Sequence, residues 1–327
     1  MIQKPSPAGE FDLIRRCFCS GFPASSQTRV GIGDDASVVT PPPQHQLLQS
    51  IDTQVADVHF PATAPAHLIA QRTLRCAASD LAAMGATPQG FFLALTLPQT
   101  DRIQQQPRID WLDDFAAGLR AAAHHCQLSL IGGDTTGGEQ LVISCLVQGW
   151  VSADQPSLLR SGASAGDDVW VTGVIGQGAL ALPHVLKRPA YDQGFAQHYY
   201  FPQPRLKAGQ ALRCRASSAL DISDGLLQDA GHIATASQVA IRLYGEKIPT
   251  AAGLGHPDWP TCLTGGDDYE LLFTAPASQR SALATLEQQL ALPLTRIGEC
   301  VHSATPTVEL LLEGQPLTLD TQGFQHF

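Results

Sequence analysis

Aspartate is the residue type that could do most of the chemistry in this chain, and it recurs beside glycine, serine and threonine. The pattern first appears as GIGDD at 31–35, where two glycines allow a tight turn before two adjacent carboxylates. Similar short patterns hold Asp52, Asp80, Asp134, Asp221, Asp224 and the pair Asp267 and Asp268. Converging carboxylates repel one another unless a cation lies among them, and hard oxygen ligands suit Mg²⁺. These residues therefore predict a group of aspartates that holds several Mg²⁺ ions around a phosphate.

The surroundings of Asp80 strengthen this interpretation. A single Gly-Asp pair is more often a turn or a helix cap than a ligand. Asp80, however, lies with Leu81 and Met84 on the apolar side of a helix predicted over 65–84, where an unpaired carboxylate costs several kcal/mol. Most of the other aspartates follow apolar runs, so we expect them at strand ends, where sites in α/β proteins collect. The predicted strand 46–52 ends in Asp52, and the strand 128–131 runs into a turn that holds Asp134.

Composition bounds the class of protein and of ligand. A chain of 327 residues with 44% hydrophobic residues predicts about two domains of roughly 150 residues, each with its own core. The formal net charge is −10 and no stretch is rich in lysine or arginine, which disfavours nucleic-acid binding. An acidic protein that binds an anionic phosphate needs metal ions to reverse the local charge.

Strands and helices alternate in both halves of the chain, which predicts an α/β fold. The polar stretch 152–157 contains a proline and marks a boundary between an N-terminal α/β domain over 1–153 and a C-terminal α/β domain over 154–327. Both halves carry Gly-Asp turns, so we expect the two domains to face one cleft. Helices are predicted at 11–19, 65–84, 110–125, 205–215, 226–237 and 279–290, and a loop at 188–203.

Cysteine usage and hydropathy bear on the compartment. The eight cysteines are scattered without zinc spacing, which is typical of a reducing compartment. Cys17 and Cys19 lie on the first predicted helix, away from the aspartates, and we expect both to be dispensable for chemistry. Residues 1–10 have no apolar signal core, and no apolar run approaches the length of a membrane span. We therefore expect a cytoplasmic protein without membrane association.

Other motifs exclude some classes and leave single residues open. The glycines between 173 and 178 favour a tight turn between a strand and a helix, and neither a Walker A sequence nor the protein-kinase motifs occur. Arg160 could clamp a phosphate or pair with a surface carboxylate. His59 could contact a substrate or be a packed residue. Phe324 could stack on a flat ring or fill a core.

Taken in order, these motifs resemble those of the thiamine-monophosphate kinases, in the superfamily of aminoimidazole ribonucleotide synthetase-like enzymes. The resemblance runs almost end to end. It rests on GIGDD at 31–35, SDLAAMGA at 79–86, GGDTT at 132–136, RSGA at 160–163, DISDG at 221–225, GGDDYEL at 265–271 and the tail 323–327. It implies the two-domain fold of that superfamily, with N-terminal domains that pair in a homodimer. It also implies ATP-dependent phosphorylation of thiamine monophosphate to thiamine diphosphate, with ATP in the cleft and several Mg²⁺ ions.

The resemblance also implies the role of each site residue. Metal positions are Asp35, Ser50, Ile51, Asp52, Asp80, Asp134, Asp221 and Asp224, of which Asp35, Asp80, Asp134 and Asp224 would serve catalysis through the metal. Nucleotide positions are Gly133, Asp134, Arg160 and Ser223, and substrate positions are His59, Asp267 and Phe324. Ile51 stands where the family commonly has threonine, so a ligand there is the backbone carbonyl or is missing.

Two other functions compete with this one. Another ATP-dependent member of the superfamily, of the selenophosphate or aminoimidazole ribonucleotide synthetase type, would share the Gly-Asp turns. A selenophosphate synthetase would carry a reactive cysteine with a nearby lysine in its N-terminal region, whereas Cys17 and Cys19 have only arginines beside them. A non-catalytic Ca²⁺-binding module is disfavoured because the EF-hand pattern is absent.

Overall fold

The computed structural model describes residues 10–100, 102–190 and 193–319. The part of the chain up to Ser152 is built on a four-stranded sheet in the order β3-β8-β4-β7, in which β4 and β7 run parallel and the other neighbours antiparallel. Its elements are α1 (Glu10–Cys17), β1 (Thr28–Val30), β2 (Val38–Val39), β3 (His45–Val55), α2 (Ala66–Ala83), β4 (Thr87–Pro98), β5 (Arg102–Ile103), β6 (Gln106–Pro107), α3 (Arg108–Cys126), β7 (Ser129–Gly138) and β8 (Val142–Ser152).

Helix α2 is the element that positions much of the site. It lies against β3 and β8, with α3 packed beside it, and nearly all of its residues are buried. Its buried residues include the charged Arg72 and Arg75, whose side chains must find partners inside the protein. It ends where Gly85 takes a φ of +71° and its backbone N–H donates to the carbonyl of Ala82 at 3.0 Å, which is a glycine-terminated helix end.

The two faces of β3 have opposite environments because side chains alternate along a strand. On the face toward α2, Ser50 reaches Asp80, and Gln54 accepts a hydrogen bond from Thr73 at 3.2 Å. On the other face, the Leu47 side chain is 50% exposed and that of Ile51 65% exposed. The sheet therefore has one covered and one open face.

The rest of the described chain forms a seven-stranded mixed sheet in the order β10-β12-β9-β13-β11-β14-β15. Its neighbours are antiparallel except for β11 and β14. Two short 3₁₀ turns, Gly245–Lys247 and Ala277–Gln279, lie in this part. The elements are β9 (Asp167–Thr172), α4 (Gln177–Lys187), α5 (Ala196–Tyr200), α6 (Leu206–Leu212), β10 (Ser218–Asp221), α7 (Leu226–Ser237), β11 (Ala240–Tyr244), α8 (Trp259–Thr264), β12 (Leu271–Pro276), α9 (Arg280–Leu290), β13 (Leu294–Val301), β14 (Thr307–Leu312) and β15 (Gln315–Pro316).

This architecture confirms the mixed α/β class. The two sheets occupy separate stretches of the chain on either side of 153–166, whereas α5 and α6 pack against α2. A division into domains at 153/154 therefore stays a proposal. Among the helices of the described residues, none combines the length and hydrophobicity that a membrane crossing requires.

Three local predictions were wrong. Strand β3 does not end at Asp52, because it stays paired with β8 through Asp52 opposite Cys145 and on to Val55. The GGDTT segment is not a turn, because β7 stays paired with β4 through Asp134 opposite Ala94. The stretch 188–203 is not all loop, since it contains α5. In addition, the short helix α8 was not predicted.

Candidate active site

A cleft of about 780 Å³ lies between the two sheets. Strand β3 and helix α2 line one side of it. The turn after β10, the loop before β12 and helix α4 line the other. Nine residues predicted from the sequence line this cleft: Ile51, Asp52, His59, Asp80, Arg160, Asp221, Ser223, Asp224 and Asp267.

Four of these form what we call the acidic cluster: Asp52, Asp80, Asp221 and Asp224. Burial raises the pKa of Asp221 to about 7, and the negative charge of Asp80 adds to the rise. Burial also raises the pKa of Asp80. The Ser50 hydroxyl, which donates to Asp80 Oδ2 at 2.5 Å, partly offsets this rise. The pKa of Asp52 is raised by burial as well. Carboxylates so placed do not all ionise at neutral pH unless a cation lies among them.

The Ser-Asp-Gly turn that carries Asp224 is hydrogen-bonded through its backbone to Asp229, in the first turn of α7. One carboxylate oxygen of Asp229 accepts the backbone N–H groups of Ser223, Asp224 and Gly225 at 3.1, 3.1 and 3.2 Å. Burial raises the pKa of Asp229 to about 7. Sequence reasoning missed this residue, although an aspartate one turn into a helix that follows a Ser-Asp-Gly turn is a usable signal. Asp229 thereby fixes the direction in which Asp224 faces the cleft.

The GGDDY loop before β12 lies directly on that turn. The backbone N–H of Asp267 donates to the carbonyl of Ser223 at 2.9 Å, and a Cβ on Gly266 would come within 1.9 Å of the same oxygen. Only glycine permits this close approach. Asp268 does not line the cleft; its carboxylate accepts the backbone N–H groups of Gly176 at 2.8 Å and Gly178 at 3.2 Å. Asp268 therefore fixes the start of α4.

Asp267 lines the cleft, and one of its two carboxylate oxygens accepts hydrogen bonds from protein. Its Oδ1 accepts from Arg72 Nη2 at 2.7 Å and from the Tyr269 hydroxyl at 3.1 Å. On the β3 side, His59 Nδ1 accepts the backbone N–H of Val55 at 3.1 Å, so the ring proton of the neutral form lies on Nε2. Arg160 is exposed at the rim, and its charge opposes the rise in the pKa of Asp80.

Part of the cleft wall is apolar and solvent-exposed. Leu182 and Leu186 of α4 line it, with side chains 39% and 63% exposed, and Val58 from the segment after β3 is 56% exposed. Exposed apolar side chains beside convergent polar groups are typical of a ligand site. The cleft thus offers carboxylates on one side and an apolar surface for a ring on another.

The other predicted site residues lie elsewhere. Ser50 reaches the acidic cluster through its bond to Asp80. Asp35 is exposed in the turn between β1 and β2, and Gly133 and Asp134 are exposed on β7. Since β3 and β7 are opposite edges of the four-stranded sheet, Asp52 and Asp134 are separated by roughly 14 Å at about 4.8 Å per strand. Phe324 lies outside the described residues.

Residues 33–151 match the family model described as AIR synthase related protein, N-terminal domain. The chain is 39% identical to the thiamine-monophosphate kinase of Salmonella typhimurium, in an alignment that covers 98% of each sequence. The crystal structure of thiamine-monophosphate kinase from Stenotrophomonas maltophilia K279a is 38% identical with a TM-score of 0.78, covering 89% of this chain and 93% of that one. AaThiL complexed with AMPPCP and TMP is 24% identical with a TM-score of 0.74 over 98% and 97% of the two chains, which shows the same fold. An identity of 39% along almost the whole sequence establishes the relationship, and the chain belongs to the thiamine-monophosphate kinase family.

Proposed function

We propose that this protein transfers the γ-phosphoryl group of ATP to thiamine monophosphate, releasing thiamine diphosphate and ADP, with several Mg²⁺ ions bound in the cleft. The observation that carries the proposal is the acidic cluster, in which the pKa of Asp221 is raised to about 7 and burial also raises the pKa of its neighbour Asp80. The family named by the full-length relatives supplies the substrates. The synthetase-type alternative is not favoured, because those relatives are thiamine-monophosphate kinases along nearly their whole length.

The donor set fits Mg²⁺. All four members of the acidic cluster are carboxylates, and the Ser50 hydroxyl lies among them, so every side-chain donor is a hard oxygen. When bound there, Mg²⁺ would neutralise the charge of the two phosphate groups that must meet. We propose as metal ligands at the cleft Ser50, Ile51 through its carbonyl, Asp52, Asp80, Asp221 and Asp224. Asp35 and Asp134 lie outside the cleft and are proposed as ligands from the family resemblance alone.

The remaining assignments follow the sides of the cleft. Arg160 and Ser223 lie at the rim near Asp224, where a guanidinium and a turn can hold the phosphates of ATP. We propose these two as nucleotide residues and His59 and Asp267 as substrate residues. Gly133 and Asp134, which lie on β7 outside the cleft, are proposed as nucleotide residues from the resemblance alone, as is Phe324 as a substrate residue. The Asp267 carboxylate suits the cationic thiazolium ring, and the apolar wall of Val58, Leu182 and Leu186 suits the uncharged ring edges.

The chemistry requires alignment more than acid–base catalysis. Phosphoryl transfer has a loose transition state, and the acceptor is already an anionic phosphate oxygen. A dedicated general base is therefore dispensable. The protein's task is to hold two phosphate groups end to end and to keep water from competing with the acceptor.

We also propose that two copies of the chain pair through the open face of the four-stranded sheet. That face carries Leu47 and Ile51, which are 50% and 65% exposed. Exposed apolar residues that share one sheet face are typical of an association surface. Light scattering should give a mass of twice 34.8 kDa. The cytoplasmic location expected from the sequence stays a prediction.

The test is product identity. The purified protein is incubated with ATP, Mg²⁺ and thiamine monophosphate, and thiamine diphosphate is resolved by chromatography. Parallel reactions replace thiamine monophosphate with selenide or with formylglycinamidine ribonucleotide. The proposal expects thiamine diphosphate in the first reaction and no ATP turnover in the others; turnover only in one of the others would reject it.

A further inference from the structure

Arg72 is a buried arginine at the base of the cleft with no role assigned so far. It lies on α2, its residue is 4% exposed, and it lines the cleft. Its Nη2 donates to Asp267 Oδ1 at 2.7 Å and its Nη1 donates to the backbone carbonyl of Tyr199 at 3.0 Å. A buried guanidinium is costly to desolvate and is kept only where it is paired. Arg72 therefore joins α2 to the GGDDY loop by a buried ion pair.

Tyr199 extends this contact to the His59 segment, on the β3 side of the cleft. Its ring lies under the Arg72 guanidinium, 3.9 Å from ring centre to Cζ, within the range of a cation–π interaction. Its hydroxyl donates to the backbone carbonyl of His59 at 2.6 Å. The Arg72–Tyr199 pair thus contacts both Asp267 and the His59 segment, the two described positions proposed for substrate.

The hydrogen-bonding groups of Arg72 are directed at protein. Both of its Nη atoms are engaged, and its Nε is buried without a hydrogen-bond partner in the described residues. The guanidinium therefore acts through the residues it holds. Asp267 needs such support, because it has a φ of +68°, a conformation that is unfavourable for a residue with a side chain. In the described parts of the chain, the hydrogen bonds of its carboxylate are both accepted by Oδ1, which leaves Oδ2 for the cleft.

We propose that Arg72, with Tyr199, is a positioning residue for the organic part of the substrate, holding Asp267 and the His59 segment at a fixed separation. The inference rests on the proposed function, and it adds that the cation-recognising carboxylate is set by α2. A ligand with a cationic ring and N–H donors would lose affinity when this support is loosened. ATP, whose phosphates are assigned to the rim and the acidic cluster, would not.

Arg75 provides a matched control on the same helix. It is 7% exposed, its Nε donates to Gln71 at 3.0 Å and its Nη1 donates to the backbone carbonyl of Pro202 at 3.2 Å. It is a buried arginine bonded to a carbonyl three residues beyond the one that Arg72 contacts. Unlike Arg72, it does not line the cleft.

The experiment compares Arg72→Lys with Arg75→Lys. Lysine keeps the positive charge beside the acidic cluster but cannot serve the carboxylate and the carbonyl together as a planar fork. We expect Arg72→Lys to raise KM for thiamine monophosphate about tenfold, the size of one lost charge-assisted hydrogen bond, with KM for ATP within about twofold of wild type. Arg75→Lys should change neither KM. Tyr199→Phe, which removes only the hydroxyl, should raise KM for thiamine monophosphate alone.

A double variant separates positioning from general destabilisation. If Arg72 acts through Asp267, then Arg72→Lys should add little to the KM of Asp267→Asn, because residues of one network are non-additive. Calorimetric binding of thiamine monophosphate should follow the same order. An unchanged KM in Arg72→Lys, an equal rise for ATP, or full additivity with Asp267→Asn would each overturn the inference. Should Arg72→Lys fail to fold by circular dichroism, an unchanged KM in Tyr199→Phe would overturn it. A wild type that makes no thiamine diphosphate would instead reject the proposed function itself.

Discussion

Replacing Asp80 by asparagine tests the acidic cluster while keeping the size of the side chain. Asparagine retains an oxygen that can accept the Ser50 hydroxyl, which lies 2.5 Å from Asp80 Oδ2, so the local packing is preserved. What is lost is one negative charge beside the proposed Mg²⁺. Two unit charges about 4 Å apart interact by about 4 kcal/mol at an effective dielectric constant of about 20, and the double charge of Mg²⁺ makes this a lower limit. Because about 1.36 kcal/mol corresponds to a tenfold change in rate, turnover should fall about a thousandfold or more.

Removing the charge of Asp80 lowers turnover, but it should not lower the stability of the metal-free protein. The charge of Asp80 is one cause of the raised pKa of Asp221, so Asp80→Asn relieves a repulsion. We therefore expect the variant to melt no lower than wild type in the absence of Mg²⁺, even though its turnover is lost. If activity were lost through unfolding, the variant would instead melt below wild type in the absence of Mg²⁺.

The assay is turnover across a Mg²⁺ titration, with folding followed by circular dichroism. Raising Mg²⁺ should partly restore Asp80→Asn, because a weakened metal site fills at higher concentration, whereas a lost general base would not respond. The control is Asp113→Asn on α3, which removes one charge from an exposed ion pair with Arg16 of α1. Its turnover should stay within about twofold of wild type. Wild-type turnover in Asp80→Asn, or a loss insensitive to Mg²⁺ with ATP affinity intact, would refute the metal role of Asp80. The same titration of Asp134→Asn tests the residue that lies on β7.

Three further predictions follow from other parts of the molecule. The pKa of Asp221 is raised from its ordinary value near 4 to about 7, so between these pH values the folded state binds a proton that the unfolded state has lost. The metal-free melting temperature should therefore fall from pH 5 to pH 8, and Mg²⁺ should raise the melting temperature more at pH 8 than at pH 5. A constant melting temperature would contradict this. The Cys17→Ser/Cys19→Ser double variant should keep wild-type turnover, and a folded variant without activity would show that the thiols take part. Gly266→Ala should lose most activity, since its Cβ would lie 1.9 Å from the carbonyl oxygen of Ser223; unchanged kinetics would show that the loop can shift.

Local patterns predicted the parts of the fold that depend on local physics. Helix α7 was predicted at 226–237 and forms at Leu226–Ser237, because a glycine precedes its first turn and its apolar spacing is regular. Helix α2 was predicted at 65–84 and forms at Ala66–Ala83, where Gly85 provides the stop. Asp80, Asp221 and Asp224 were expected together and do line one cleft.

Strand ends could not be read in the same way. Polar residues after an apolar run predicted that β3 would end at Asp52 and that the strand before GGDTT would end at a turn. Both strands instead continue because a neighbouring strand pairs with them in register, Asp52 with Cys145 and Asp134 with Ala94. Pairing of that kind joins distant segments and leaves no mark in the local sequence.

The support of the site was equally invisible. Arg72 contacts Tyr199 across 127 residues and Asp267 across 195 residues of sequence. Nothing in the local sequence distinguishes Arg72 from any other helical arginine. The segment around Tyr199 was predicted as loop because a five-residue helix has too little periodicity to detect. Motifs identified the residues proposed to meet substrate, and the residues proposed to position them emerged only from the tertiary structure.

The most direct measurement of the central claim follows the phosphorus atom itself. ATP labelled with ³²P in its γ-phosphate is incubated with thiamine monophosphate, Mg²⁺ and the protein, and the products are separated. Direct transfer in the cleft predicts label in thiamine diphosphate, one ADP formed for each labelled product, and no transfer when Mg²⁺ is chelated. Release of the label as inorganic phosphate with no labelled thiamine diphosphate, or formation of AMP in place of ADP, would contradict it.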